Sequence, residues 1–229
     1  MYAPGDLFDL TQTEHAALFE DCELAWDALK RLRDYLAGRL RPGLHNRCTG
    51  TAWIGAAVFI GEGTVVEDGA MIKGPAIIGR NCEIRHGAYV REHVLIGDDC
   101  VIGNACELKH SVLLNGAAVP HFNYVGDSIL GHAAHLGAGV KVSNLKLTPG
   151  NVCVEMDGVP CDTGLRKFGA LVGDGAQIGC NAVLNPGAVI GRGAVVYPNV
   201  SWRGLLPANM IAKNTAATAV TMLRPRGPL

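Results

Sequence analysis

AIIGRNCEIRHGAYVREHVLIGDDCVIG, residues 76–103, puts an aliphatic side chain at every sixth position: Ile78, Ile84, Val90, Ile96 and Ile102. The beat runs on in both directions, back through Ile72, Val66, Ile60 and Ile54 and forward to Leu108. Ten aliphatic residues in succession at one spacing exceed chance. Two positions before each stands a small or modest residue, among them Thr64, Ala70, Ala76, Cys82, Ala88, Cys100 and Cys106. Glycine recurs directly after the aliphatic at Gly55, Gly61, Gly79, Gly97 and Gly103. This hexapeptide period is the signature of a parallel β-helix, an all-β fold. Each unit is a short strand and a turn, and three units close a triangular coil. The aliphatic points into the prism, the small residue fits at the corner, and glycine permits a backbone path that a side chain would hinder. Stacked coils then bury a nearly one-dimensional core.

Composition agrees. Only 18% of the residues are charged, against about 25% in an ordinary domain, and glycine fills 30 of 229 positions. A net charge of −1 argues against nucleic acid or an anionic membrane as the main partner. No apolar run approaches the ~18 residues that span a bilayer, and no signal peptide is read at the start. The eight cysteines are therefore expected as free thiols in the cytoplasm.

The rhythm resumes late as Val172, Ile178, Leu184, Ile190 and Val196, out of register with the first block. The slip comes in two steps of five residues, Leu108 to Leu113 and Val125 to Leu130. Between them lie His121, Phe122, Asn123 and Tyr124, which break the small-and-aliphatic vocabulary of the repeat. Irregularities in an ordered repeat are where function is expected. A second interruption, 147–166, carries Asp157-Gly158 between β-prone residues, a hairpin signal. It is expected to project as an arm. Before the repeat, Thr11 and Glu14 form a possible capping box, and Leu18, Cys22, Ala25, Leu29, Leu32, Leu36 and Leu40 trace one helical face. The organisation expected is a helical cap over the open prism end (1–50), a β-helix domain (51–204) and a tail (205–229).

Residues 83–144 and 166–191 resemble the acetyltransferase half of the bacterial bifunctional enzymes that make UDP-N-acetylglucosamine. Gly103, Asn104, Glu107 and Lys109 match the family's G-N-x-x-E-x-K. His121, Tyr124, Gly126 and Asp127 match its H-x-x-Y-x-G-D. Gly137, Ala138, Gly139 and Asn144 match its G-A-G and following Asn, and Lys167-Phe168 its K-F. The resemblance implies a left-handed β-helix assembled as a homotrimer, with acetyl-CoA as cosubstrate and an amino sugar phosphate as acceptor. It implies His121 as the general base, an imidazole suiting the role because its ordinary pKa of about 6.5 leaves it able to accept a proton near neutrality. Glu107 and Asn144 would position acceptor and base. Arg91, Lys109 and Lys167 would hold the phosphate, with Tyr124 beside them. Ala138 and Cys180 stand where the family passes the pantetheine arm.

Departures leave the acceptor open between glucosamine-1-phosphate and a related nucleotide sugar. His135 stands where the family has a sugar-contacting Asn, Leu145 replaces an aromatic, and the 147–166 loop is longer. The family's uridyltransferase domain needs far more than the residues ahead of the repeat, so that activity is expected to be absent. A zinc site of the kind seen in β-helix carbonic anhydrases needs three converging histidines; no pair among His86, His93, His110, His132 and His135 has that family's spacing, and no metal is expected. The alternative to an enzyme is a non-catalytic hexapeptide scaffold or sugar-phosphate-binding protein, which binding of acetyl-CoA would exclude.

Overall fold

A computed structural model describes residues 2–156 and 158–214. The chain winds into a left-handed parallel β-helix whose three faces are parallel sheets. Face A has nine strands, from Gly43–Leu44 to Leu205–Leu206. Face B has nine, from Arg47–Thr49 to Ile211–Ala212, and face C eight, from Trp53–Ile54 to Ser201–Trp202. The hexapeptide aliphatics fill the prism, with Ile60, Ile72, Ile78 and Ile84 fully buried. Cys82, Cys100 and Cys106 are buried at corner positions, each thiol bonding a carbonyl of the next coil at 3.0–3.2 Å. The prism reaches further than 51–204 at both ends: residues 43–49 and 205–212 pair into it. Of the expected tail, 215–229 lies outside the described residues.

The N-terminal segment does not cap the open end. It lies along face A. On that face the middle residue of each strand, which points away from the prism, is apolar: Ile77, Leu95, Val112, Ile129, Leu171 and Val189 are all buried. Leu18, Ala25, Trp26, Leu29, Leu32 and Leu36 cover this ladder, each buried aliphatic contributing roughly 1.5–3 kcal/mol. The predicted helical face is thus the buried one, but only Asp27–Arg39 is α-helical. Asp21 at φ 58° breaks the run, so the chain descends the prism in short turns before the helix begins. Nor is there a capping box: Asp9 accepts from Thr11, and Glu14 pairs with Arg80 instead.

The hairpin forms, with Cys153–Met156 antiparallel to Val159–Asp162, although Asp157 itself lies outside the described residues. It does not project. Val152 and Val154 are buried in the face A cluster, and Tyr2 donates from its hydroxyl to the Glu155 carbonyl at 2.8 Å. The β-prone residues of the arm meet the apolar cover of their own chain, which is why it folds back. Cys153 faces Asp162 and Cys161 faces Val154 across the ladder, so the two thiols lie on opposite sides of the ribbon and stay free. What stands out from the surface is Leu147, fully exposed.

Both five-residue steps fall at the corner between faces C and A. Val94 pairs with Ser111, and Val112 with Ile129, so His93, His110 and Asp127 occupy one corner position in three successive coils. Ser111 and Ser128, fully buried, close the two tightened corners by donating to the carbonyl two residues back, at 2.8 and 2.7 Å.

Candidate active site

The predicted site residues fall into two groups, one on face C and one at its edge toward face B. The first stands on the face itself. Glu107, Tyr124 and Lys141 are partners in successive strands, with Arg91, Lys109 and Gly126 beside them. Arg91 donates through Nη1 to Glu107 at 2.9 Å, and that hydrogen bond, more than the burial opposing it, raises the guanidinium pKa. Lys109 Nζ lies 3.3 Å from both oxygens of Asp127. Asn144 donates to Tyr124 Oη at 3.2 Å and also to Asp127. Gly126 is required here: a Cβ at that position would lie 2.6 Å from both Asn144 Nδ2 and Tyr124 Oη. Burial holds the Tyr124 hydroxyl above its ordinary pKa, against the lowering effect of Asn144, so it remains a neutral donor. Lys167 is exposed just beyond, bridged to Leu145, while Phe168 donates its N–H to the Asn144 carbonyl.

The second group is a column at the corner between faces B and C. Asn104 pairs with His121, and Ala118 with His135. His135 in turn pairs with Gln177, so His121, Ala138 and Cys180 occupy one position in three successive coils. Coils stack about 4.8 Å apart, which sets the rise from His121 to Ala138 and again to Cys180. The carbonyls of the column are engaged, accepting from Gly139, Asn181 and Asn199 at 2.8–3.0 Å. None of these coil-to-coil bonds uses the N–H of Ala138 or Cys180, leaving two donors at the corner that suit the carbonyl groups of a pantetheine arm.

The His121 ring is exposed and tilted against Phe122, centroids 6.3 Å apart. Its main chain is fixed from inside. Asn123 occupies an inward corner position, 2% exposed, accepts from the His121 N–H at 3.1 Å and donates to the Gly137 carbonyl at 2.8 Å. Asn123 is a positioning residue, and its polar side chain at a small inward position of the repeat is the signal that could have found it.

The strand Tyr124–Gly126 carries part of the first group, and His121 stands three residues before it, at its B–C end. His135 joins neither: it points out from face B. Two residues absent from the predicted set, His110 and Asp127, sit at the far edge of the first group, with His110 Nδ1 2.9 Å from Asp127. Within one chain the first group lies on an open face with no opposite wall. A depression of about 890 Å³ lies elsewhere, between Glu14, His15 and the first coils, and holds none of the predicted residues. Among the described residues no three His, Cys, Asp or Glu side chains are grouped to hold a metal ion.

Comparison with known proteins fits this geometry. Residues 72–161 match the GMPPB C-terminal domain, and 169–201 the bacterial transferase hexapeptide repeat. A bifunctional sugar-1-phosphate nucleotidylyltransferase/acetyltransferase from Sulfurisphaera tokodaii is 35% identical over 88 residues, 38% of this chain and 22% of that protein. The bifunctional protein GlmU of Methanococcus maripaludis is 36% identical over 69 residues, 30% of this chain and 16% of that one. The chain therefore matches only a small part of the length of these relatives. The acetyltransferase domain of PglB from Neisseria gonorrhoeae, solved with acetyl coenzyme A, is 13% identical with a TM-score of 0.29, covering 85% of this chain and 65% of its own. The repeat, the prism it builds and these sequence matches make the chain similar, over these segments, to hexapeptide-repeat acetyltransferases of the GlmU type.

Proposed function

We propose that the chain is a CoA-dependent acyltransferase, moving an acetyl group from acetyl-CoA to the amine of an amino sugar phosphate such as glucosamine-1-phosphate or a related nucleotide sugar. The observation that carries this reading is the alignment of His121, Ala138 and Cys180 on one corner. It puts an imidazole one coil below the free amides that would hold a pantetheine arm. Acetyl-CoA supplies an activated thioester. His121 accepts the proton that the attacking amine must lose, held in place by Asn123. Arg91, Lys109, Lys167 and the Tyr124 hydroxyl offer donors to the phosphate of the acceptor, and Glu107 orders Arg91 through their ion pair.

Assembly as a homotrimer belongs to the same proposal. Face A is taken by the chain's own N-terminal segment, so neighbours would use faces B and C. Face B presents a flat row in which half-buried Val65, Val101, Ala118 and Val195 are interrupted by Glu83, His135 and Gln177, and a neighbour there would supply the wall that face C lacks. We further propose that this chain alone transfers no nucleotidyl group, since its described residues form only the prism and its cover.

The test is thiol release from acetyl-CoA across glucosamine-1-phosphate and related amino sugars. We expect release above the acceptor-free blank with at least one sugar phosphate. Silence with every acceptor, with no binding of acetyl-CoA, would favour the scaffold reading.

A further inference from the structure

The second interruption of the repeat builds a cleft just above the acceptor group. After Asn144 the chain leaves face C: Leu145 bridges to Lys167, and the loop that follows carries the fully exposed Leu147. Between this loop and the coils above lies a hollow of about 410 Å³, whose walls include Ser143, Leu145, Lys146, Asn185, Pro186 and Arg203. Two cations line it and no carboxylate does. Glu155 shares neighbouring hollows with Arg203, but neither Arg203 nor Lys146 makes an ion pair among the described residues.

The cleft stands in line with the acceptor residues. Lys109 pairs with Gly126, Val125 with Val142, Val142 with Leu184 and Leu184 with Trp202. Lys109, Gly126, Ser143, Asn185 and Arg203 therefore form one column along the C–A edge of face C, one residue per coil. Gly126 puts no side chain between Lys109 and Ser143, so the cleft begins about 4.8 Å above it. Exposed Lys167 stands at the seam through its bridge to Leu145. Inside the cleft, Asn185 Nδ2 donates to the Trp202 carbonyl and to Ser201 Oγ, both at 2.9 Å. A carbonyl only accepts, so the amide nitrogen is turned to the wall and Oδ1 is left to accept from a ligand. Leu145 and Pro186 add apolar surface beside it.

We propose that the acceptor is a nucleoside diphosphate sugar, with its sugar on face C and its nucleoside in this cleft. The inference rests on the acceptor reading above and narrows it. Amine and phosphate leave the sugar in opposite directions, the amine toward His121 at the B–C edge and the phosphate toward Lys109 at the C–A edge. A lone sugar phosphate ends there and does not reach the cleft. A second phosphate continues up the column toward Lys167 and Lys146, whose ammonium groups suit its oxygens. Ribose and base then lie against Leu145 and Pro186, two coils or about 10 Å above Gly126, and give a hydroxyl or ring N–H to Asn185 Oδ1. Arg203 closes the far wall and offsets the remaining negative charge.

Calorimetry with UDP and with GDP, in the absence of acetyl-CoA, tests the cleft. At least one should bind the wild type more tightly than inorganic pyrophosphate does. Lys146→Ala and Arg203→Ala should each weaken that binding about tenfold or more, the worth of one hydrogen bond to a charged group. Neither side chain packs in the core, so the melting temperature of both variants should hold. Glucosamine-1-phosphate, which stops short of the cleft, should bind both variants as it binds the wild type. In thiol release, UDP-glucosamine should exceed glucosamine-1-phosphate in kcat/KM, and the two substitutions should erase the difference. No binding of either diphosphate, binding no tighter than that of pyrophosphate, or binding indifferent to both substitutions overturns the proposal and leaves acetylation of glucosamine-1-phosphate standing. Diphosphate binding that both variants weaken, with no acetylation of any sugar, keeps the nucleotide cleft and refutes acetyl transfer instead.

Discussion

Replacing His121 with Ala separates chemistry from folding more sharply than any other substitution in the column. The ring is exposed, touches Phe122 loosely and makes no side-chain hydrogen bond among the described residues. The bonds that hold the corner run through the His121 main chain, to Asn123 at 3.1 Å and from Gly139 at 2.9 Å, and Ala retains both. Stability should therefore change by no more than about 0.5 kcal/mol, under about 2 °C in melting temperature for a domain of this size. Loss of a positioned base costs about 10²–10⁴ in kcat, or roughly 3–5.5 kcal/mol of barrier. Asn123→Ala is the mirror experiment. It leaves the His121 N–H without its buried partner and the Gly137 carbonyl with the Val140 N–H alone at 3.3 Å, costing about 1–3 kcal/mol of stability, and lets the His121 backbone drift, so kcat falls with the melting temperature. Thiol-release kinetics, calorimetry and acetyl-CoA titration of both variants complete the comparison. A His121→Ala protein as active as wild type on every acceptor would refute the catalytic assignment, and one that unfolds would return His121 to a structural role.

Lys109→Ala and Arg91→Ala should raise KM more than they lower kcat, because the phosphate keeps its charge during acetyl transfer and is held alike in ground and transition states; a large fall in kcat at constant KM would contradict the phosphate assignment. Light scattering should return about three times the 24.1 kDa chain mass, and Ala118→Glu on face B should reduce it to one; an active monomer would remove the trimer. Leu32→Ala, a fully buried contact of the face A cover, should cost about 2–5 kcal/mol of stability, and a loss well below that would mean the cover is loosely held. The stability due to Asp127, whose folded pKa is lowered, is present above the ordinary carboxylate pKa of about 3.9. It is lost as pH falls through the folded value. Asp127→Asn should therefore melt lower than wild type at pH 7, by a margin that narrows below about pH 4; a constant margin would rule out the linkage.

The prism was legible because a six-residue period has one physical solution. The register slip was equally legible, but the corners it tightens were not. The two five-residue steps bracket His121, yet the corners they tighten hold His110 and Asp127, and a count of aliphatic spacings cannot say which corner a deletion falls on. Sorting the repeats by threes would have said it, and would also have exposed face A. The residue between corner and aliphatic is apolar throughout one unit of three, Ile77, Leu95, Val112, Leu171 and Val189, while in the other units it is mixed, with Glu83, Glu107, Lys141 and Gln177 among Val65, Val101, Val183 and Val195. A flat sheet that is apolar on both sides needs a cover, and the N-terminal stripe supplies most of it. The fate of the 147–166 arm was not legible in this way, since its β-propensity predicts a hairpin but not the surface on which it rests.

A β-helix face is a grid, with coils about 4.8 Å apart and residues about 3.3 Å apart along each strand. It presents side chains in rows but forms no pocket by itself. A pocket needs either a corner that departs from the grid or a second body laid against it. This chain has the first at the C–A corner, where the shortened turn draws Asp127 inward. The N-terminal segment supplies part of the second. Its helix buries one stripe on face A and sets Arg33 over a cleft beside His110, so the element that stabilises the fold is also one wall of that cleft. The row Arg91–Glu107–Tyr124 lies beyond that helix, open on face C. In the trimer proposed above a neighbouring chain closes it, so a substitution that detaches the neighbour from face B should raise KM for the acceptor even though it touches no acceptor-binding residue of its own chain.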